Sequence, residues 1–336
     1  MTFDIVCLGE LLIDFVATAT GPLRDAPGFV KAAGGAPANV AVAAARLGRT
    51  AAFLGAVGQD EFGNFLRDQL ESNRVDVRGL CLLRRGSTPL AFVSLKENAE
   101  RDFLFHWRDT ADHLVKPRDI PCELAGDCRI FHYGSISLIH PAMRAVTRRA
   151  LQAARKSRSV FVSCDPNLRL NLWRSPEQAR KTIMKTIESA HLVKINDEEL
   201  GFLTGKKNLR RGMRALAGIT DAAILVTRGP AGAAYRWGKS EGEVAGFAVS
   251  AIDSTGAGDG FVAGFLSRLL ETRGSLRGLQ PEAETLARWV LYANAVGALA
   301  TTKRGAIPAF PFASDVEAFL TPETQRGRQP QPNRAV

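Results

Sequence analysis

Six short apolar runs, at 5–8, 50–57, 129–132, 159–164, 191–195 and 222–227, alternate with helical stretches along most of the chain. No other feature narrows the possible folds so far. Strands separated by helices pair in one direction, and such a sheet is covered by helices on both faces. One helix is expected to begin at Pro37, which suits a first helical position, and to stop before Gly48, which suits the residue beyond a helix end. Others are expected at 61–72, 141–156 and 176–189. The expected class is α/β with a mostly parallel central sheet. Ligands of such sheets lie at the carboxyl ends of the strands, so the chemistry is sought in the turns that follow them.

One region departs from the alternation. Residues 88–108 read as two strands joined by a polar turn at 97–100, and 14–17 and 29–33 read as two more. Together they predict a small antiparallel sheet, built from about 12–34 and 87–110, outside the main one. Its strands lead into glycine-rich turns, which suits a lid better than a peripheral ornament. Beyond Pro322 the composition becomes polar and Pro-rich. The domain is therefore expected to span 1–322, with 323–336 a disordered tail.

Composition removes several classes of function. Of 336 residues, 46% are hydrophobic and 23% charged, enough for a large core, and no apolar run approaches the ~20 residues of a membrane span. The start places Asp4 before its apolar run and reads as a first strand, not a signal peptide. The five cysteines are odd in number and form no C-x-x-C, so reduced thiols in a cytoplasmic protein are expected rather than disulfides or zinc. A net charge of +10 raises nucleic acid as a partner, but the Lys and Arg are scattered and not interleaved with aromatics. An anionic small-molecule substrate accounts for the same bias.

The strongest local signal is Asp253-Ser-Thr-Gly-Ala-Gly-Asp-Gly260, between the alternating apolar stretch 244–252 and a helix expected at 261–270. A Gly-Ala-Gly turn at a helix start leaves backbone N–H groups free and pointing one way, an anion site without side chains in the way. Asp259 beside it is placed to take a proton from an attacking hydroxyl. The helix N-terminus would lower its pKa and weaken it as a base, which is tolerable if the proton moves late. On local sequence alone the segment equally fits a capped helix, with Asp259 complementing the dipole. It lacks the Gly-Lys-Ser/Thr ending of a P-loop and the spacing of a dinucleotide fingerprint.

Asp253–Phe261 resembles, residue for residue, the C-terminal signature of the PfkB (ribokinase-like) family of carbohydrate kinases. Gly34-Gly-Ala-Pro-Ala-Asn-Val-Ala-Val-Ala-Ala-Ala-Arg-Leu-Gly48 resembles the N-terminal signature. Gly9-Glu10, Asp14, Asp165-Pro-Asn-Leu-Arg169, Asn196-Asp-Glu-Glu199 and Thr227-Arg-Gly229 follow in family order, so the resemblance runs from residue 3 to about 320. It implies a ribokinase-like three-layer α/β/α fold with a β lid, and transfer of the γ-phosphate of ATP to a sugar. It implies Asp259 as base and Gly256, Ala257 and Gly258 as anion hole. Asp14, Gly34, Gly35 and Asn39 become sugar contacts. Asn196, Thr227, Gly229, Asn294 and Ala298 fall on the nucleotide side, Glu199 near Mg²⁺ through water, and Asp253 near a K⁺ ion.

The choice of sugar rests on less. The segment 293–308 resembles the fructokinase branch, and Asp165–Arg169 with Leu172-Trp173 resembles both that branch and the 2-keto-3-deoxygluconate kinases. The lid ends in Phe105-His-Trp-Arg108-Asp-Thr-Ala-Asp112, one residue shorter than the fructokinase pattern and with Thr110 in place of Ser. Arg108, Asn167 and Arg169 are taken as substrate contacts. Two arginines suit a neutral ketose, suit a carboxylate or phosphate better, and on the surface are salt-bridge partners. The expectation is fructose, with a sugar acid such as 2-keto-3-deoxygluconate second and ribose, nucleosides and phosphorylated ketoses after it; from a different class comes a non-catalytic binding protein built on a kinase fold. Apolar lid residues among Leu90, Phe92, Phe103 and Phe105 are expected to pair two copies as a homodimer.

Overall fold

The computed structural model describes residues 3–95 and 101–321. The turn expected at 97–100, the side chain of Phe103 and the tail at 323–336 lie outside the described residues. Among these, thirteen strands form two sheets. The larger holds β1 (Phe3–Leu8), β4 (Ala51–Gly58), β5 (Val75–Leu83), β8 (Cys128–Gly134), β9 (Phe161–Asp165), β10 (Leu192–Asn196), β11 (Ala223–Thr227), β12 (Ala233–Trp237) and β13 (Ser240–Val244). Their order is β13-β12-β11-β10-β9-β8-β1-β4-β5. From β11 to β5 every pairing is parallel, and β12–β13 closes one edge as an antiparallel hairpin.

Each apolar run becomes a strand because it is buried on both faces. Along β1, Ile5 and Cys7 enter one core while Val6 and Leu8 enter the other. Residue parity thus divides the molecule into three layers. Helices α1 (Ala36–Arg46), α8 (Ala257–Leu269), α9 (Ala283–Ala300) and α10 (Ala313–Leu320) supply the first core, and α2 (Glu61–Ser72) adds Leu66 and Leu70. Helices α3 (Ala111–Leu114), α4 (Pro141–Lys156), α5 (Pro176–Ile187), α6 (Asp197–Thr204) and α7 (Leu209–Ala217) supply the second.

The lid is real but of mixed direction. Its strands β2 (Leu12–Thr20), β3 (Phe29–Gly34), β6 (Leu90–Leu95) and β7 (Arg101–His106) run in the order β3-β2-β6-β7. The hairpins β2–β3 and β6–β7 are antiparallel, but β2 and β6 pair in parallel, with Asp14 beside Ala91. The fully antiparallel expectation is corrected here, because both hairpins leave the main sheet at the same end. Three strands were not foreseen. β5 carries polar Asp76 and Arg78 at an exposed edge, and β12–β13 mixes Arg236, Glu241 and Glu243 into its alternation. The stretch 245–252 has no strand pairing and turns tightly where Ala251 N donates to Val249 O at 3.0 Å.

Candidate active site

The carboxyl ends of the parallel strands meet the underside of the lid. Glu10 follows β1, Asn196 ends β10 and Thr227 ends β11, and all three line one cleft of about 390 Å³. From the lid come Leu12, Asp14, Phe105 and Trp107, and from α1 and α8 come Asn39, Gly256, Gly258 and Asp259. A second, more apolar cleft of about 330 Å³ lies on the other side of the α8 N-terminus, lined by Gly229, Phe247, Val249, Asn294 and Ala298 among others. Thr227, Ser254 and Gly258 line both clefts.

The turn between the clefts is held by its glycine. Gly256 caps α8 in the left-handed region at φ 78°, and a Cβ there would stand 2.8 Å from the Ala306 methyl. The helix therefore begins at Ala257, four residues before the expected start, because packing on α9 and α1 outweighs the poor helix propensity of two glycines. Ala257 donates its N–H to Ser254 O at 3.2 Å. The N–H groups of Gly258 and Asp259 sit in the first turn, where no carbonyl inside the helix can accept them.

Asp259 is buried at the wall of the first cleft. Its Oδ2 accepts from Asn39 Nδ2 at 2.8 Å, a contact between α1 and α8. Burial pushes the carboxyl from 3.8 up to about 6, with Asp165 adding to the rise and the Asn39 amide, Lys194 and Arg169 opposing it. The lowering expected from the helix end is thus overturned by desolvation. Asn39, taken from the sequence as a sugar contact, orients the carboxylate with its amide, and its Oδ1 is buried without a partner.

The glycine pair joins lid to body. Gly34 sits so close to Asp14 that an added Cβ would lie 2.2 Å from Asp14 Oδ2. Gly35 adopts φ 115°, and a Cβ there would meet Glu10 O at 2.3 Å. Asn167 and Arg169 both line the cleft from the loop after β9, and Asn167 is held at φ 46° with its N–H donating to Asp165 Oδ1 at 3.1 Å. Arg108 is the exception. It is exposed and lines a separate depression with Ser87, Thr88 and His106, and Phe105 and Trp107 line both that depression and the cleft. Arg108 lies beyond the end of β7 at His106, in a bend beside Asp109 at φ 53°, and this turn carries it away from the cleft lining.

Three further expected site residues act first as braces. Glu199 accepts from Asn196 N at 2.8 Å and Leu168 N at 2.6 Å, and Asn196 Oδ1 accepts from Glu199 N at 2.7 Å, a reciprocal helix cap that also fixes the loop carrying Arg169. Glu199 lines neither cleft. Asn294 donates to Val244 O and Ala245 O at 3.2 and 3.1 Å, holding the chain that walls the second cleft. Asp253 accepts from Thr255 N and Gly305 N, each at 2.8 Å, and so ties the glycine turn to the loop after α9.

Two cleft residues were missed. Lys194 is buried in an ion pair with Asp165 at 2.9 Å, and a Cβ on Gly258 would lie 3.0 Å from its Nζ. Burial works to strip its charge, but Asp165 and Glu199 outweigh burial and hold its pKa above the ordinary lysine value. A single lysine inside the apolar run Leu192-Val-Lys-Ile was the available signal. Glu10 was noted in a motif but given no role. It is 5% exposed, and its Oε1 accepts from Ala36 N at 2.9 Å.

The family model described as pfkB family carbohydrate kinase matches residues 2–313. Probable fructokinase-3 of Arabidopsis thaliana is 44% identical over 328 residues, covering 97% of this chain and 93% of that one. The Xylella fastidiosa fructokinase with bound ATP superposes with a TM-score of 0.84 at 34% identity, covering 97% and 99% of the two chains. The Vibrio cholerae O395 fructokinase, with fructose, ADP and calcium ion, gives 0.83 at 35% identity, covering 95% and 99%. A double mutant of it with fructose, ADP and potassium ion gives 0.83 at 34% and the same coverage. Matched by the family model over residues 2–313 and by a relative 44% identical across 97% of its length, the protein belongs to the pfkB family of carbohydrate kinases.

Proposed function

We propose that this chain is an ATP-dependent fructokinase, converting ATP and D-fructose to ADP and D-fructose 6-phosphate. The observation that carries the reading is the meeting of the two clefts at the N-terminus of α8, with Asp259 on one side and the adenine-sized apolar cavity on the other. Fructose occupies the polar cleft under the lid. ATP lies in the apolar cleft with its γ-phosphate at the Gly256–Gly258 turn. Asp259 takes the proton from the primary hydroxyl as that oxygen bonds to phosphorus. The first-turn amides and Lys194 stabilise the charge on the transferred group, the larger part of catalysis in such reactions. Lid closure excludes water that would otherwise compete for the phosphate.

Mg²⁺ enters with ATP as part of the substrate, coordinated by phosphate oxygens and water, and Glu199 acts on it through the loop it braces. A monovalent cation such as K⁺ fits behind the turn. Thr255 Oγ1 there is buried without a partner, and Asp253 holds together the two loops whose carbonyls would surround the ion. The ion would supply positive charge behind the anion hole. Arg108 lying outside the cleft favours a neutral ketose over a sugar acid, because the two-arginine clamp an acid would use is not assembled. Five free cysteines among the described residues suit a reducing compartment such as the cytoplasm.

A homodimer through the lid is part of the same reading. Among the described residues its large exposed apolar side chains are Phe29, Val30 and Leu104. Phe92 instead stacks on Phe15 at 5.2 Å, Leu90 packs against the core, and Phe105 faces the cleft. Sedimentation is expected to show a dimer that Leu104→Glu converts to monomer. The reaction itself is tested by ATP consumption over a panel of fructose, glucose, mannose, ribose, 2-keto-3-deoxygluconate, adenosine and fructose 6-phosphate, with Mg²⁺ and with or without K⁺. Strong turnover of fructose alone is expected. Preference for an acidic or phosphorylated acceptor would overturn the assignment of substrate and keep that of Asp259.

A further inference from the structure

Among the described residues, phosphoryl transfer leaves two buried acids unused, Glu10 and Asp112, and both oxygens of Asp112 already accept, from Trp107 Nε1 and Thr110 Oγ1. Glu10 follows β1 at the carboxyl edge of the sheet and is 5% exposed. One oxygen is committed, with Oε1 accepting from Ala36 N at the start of α1. The other, Oε2, is buried with no partner. A buried polar atom left unpaired is destabilising and calls for an explanation. Glu10 lines the sugar cleft, and together with Trp107 and Ile136 it also lines a smaller side cavity of about 160 Å³. Asn39, whose Oδ1 is likewise buried without a partner, lines the same cleft, as does Thr255 with its unpaired hydroxyl oxygen. Unpaired acceptors on one cleft, beside the apolar faces of Trp107 and Ile136, match a polyol, which has hydroxyl donors and C–H faces.

We propose that Glu10 is a specificity-determining substrate contact whose Oε2 accepts a hydrogen bond from a hydroxyl of the bound ketose other than the one phosphorylated. Oε1 anchors the carboxyl to the α1 N-terminus, so the contact is set in the same frame as Asn39 and, through it, Asp259. Arg169 and Asp259 are the charged groups that bear on Glu10. Burial raises its pKa to about 7, Asp259 adds to the rise, and Arg169 opposes it. A hydroxyl donor favours the ionised form, so binding would draw the proton off.

This inference rests on the fructokinase reading, and the test separates the two. Wild-type turnover of fructose tests the reading of function, whereas the ratio of variant to wild type, on whichever acceptor is turned over, tests Glu10. Glu10→Gln keeps a carbonyl for Ala36 N and replaces the Oε2 acceptor by an amide donor. A lost hydrogen bond to a charged acceptor predicts a KM for fructose raised by about 10- to 100-fold, with kcat, KM for ATP and melting temperature near those of wild type. Among 1-, 3- and 4-deoxyfructose, one is expected to be a poor acceptor for wild type by a similar factor and to suffer no further loss in the variant. An unchanged KM for fructose, or deoxy penalties that persist in full, would overturn the contact. So would KM for ATP rising in step with KM for fructose, which would leave Glu10 as a brace of α1. If Glu10→Gln does not fold, Glu10→Asp, which keeps the carboxylate but draws it back by one methylene, is expected to raise KM for fructose with KM for ATP near that of wild type, and an unchanged KM for fructose would contradict the contact.

Discussion

Asp259 holds its carboxyl where two influences oppose each other. A helix N-terminus favours the anion, and burial penalises it; burial prevails, and the group titrates near 6 instead of 3.8. A base that strong is better matched to neutral pH than an exposed aspartate. Two consequences can be measured. As the proposed base, Asp259 works when ionised, so kcat/KM should fall as pH drops through about 6, and the residual activity of Asp259→Asn should lack that limb. A native pKa above the unfolded value also means that ionised Asp259 opposes folding above pH 6, a cost relieved as pH falls toward 3.8. That displacement corresponds to on the order of 3 kcal/mol. Asp259→Asn is therefore expected to be more stable than wild type in urea at pH 7.5, by up to that amount, and a destabilised variant would contradict the burial account.

Elements place these residues through a few tight contacts. β10 sets Lys194 against Asp165 of β9, both buried, at 2.9 Å. Removing one charge strands the other, a loss of about 3–5 kcal/mol. Lys194→Met should lower the urea midpoint accordingly, and adding Asp165→Asn should restore most of it, while turnover stays low in both. The hinge between β3 and α1 depends on Gly34, where a Cβ would intrude on Asp14 Oδ2. Gly34→Ala is expected to raise KM for fructose at least several-fold and leave KM for ATP unchanged. Equal change in both would argue that the hinge serves the whole active site.

At the scale of the molecule, the alternation of apolar runs and helices carried much of the fold, because each parallel strand is buried on both faces and so appears as an unbroken apolar run. Edge strands were illegible for the converse reason. β5 and β13 bear polar side chains on an open face, and their strand character comes from pairing, not from their own pattern. The parallel β2–β6 contact joins segments far apart in sequence, and nothing local records it. At the site, glycines and Asp259 were visible because special backbone geometry demands particular residues. Glu10 and Lys194 were not, since their importance lies in burial and in partners that only the assembled sheet supplies. Arg108 lies past the end of β7, in a bend beside Asp109 at φ 53°, a change of direction that its own residue type does not signal.

The account stands on Asp259 as the base that activates a sugar hydroxyl for attack on ATP. The direct test compares wild type with Asp259→Asn in two assays, fructose binding by calorimetry and fructose 6-phosphate formation from ATP and Mg²⁺. The account predicts binding within a few-fold of wild type and turnover lower by about 10²–10⁴-fold. Near-normal turnover in the variant, or loss of fructose binding equal to the loss of turnover, would contradict it.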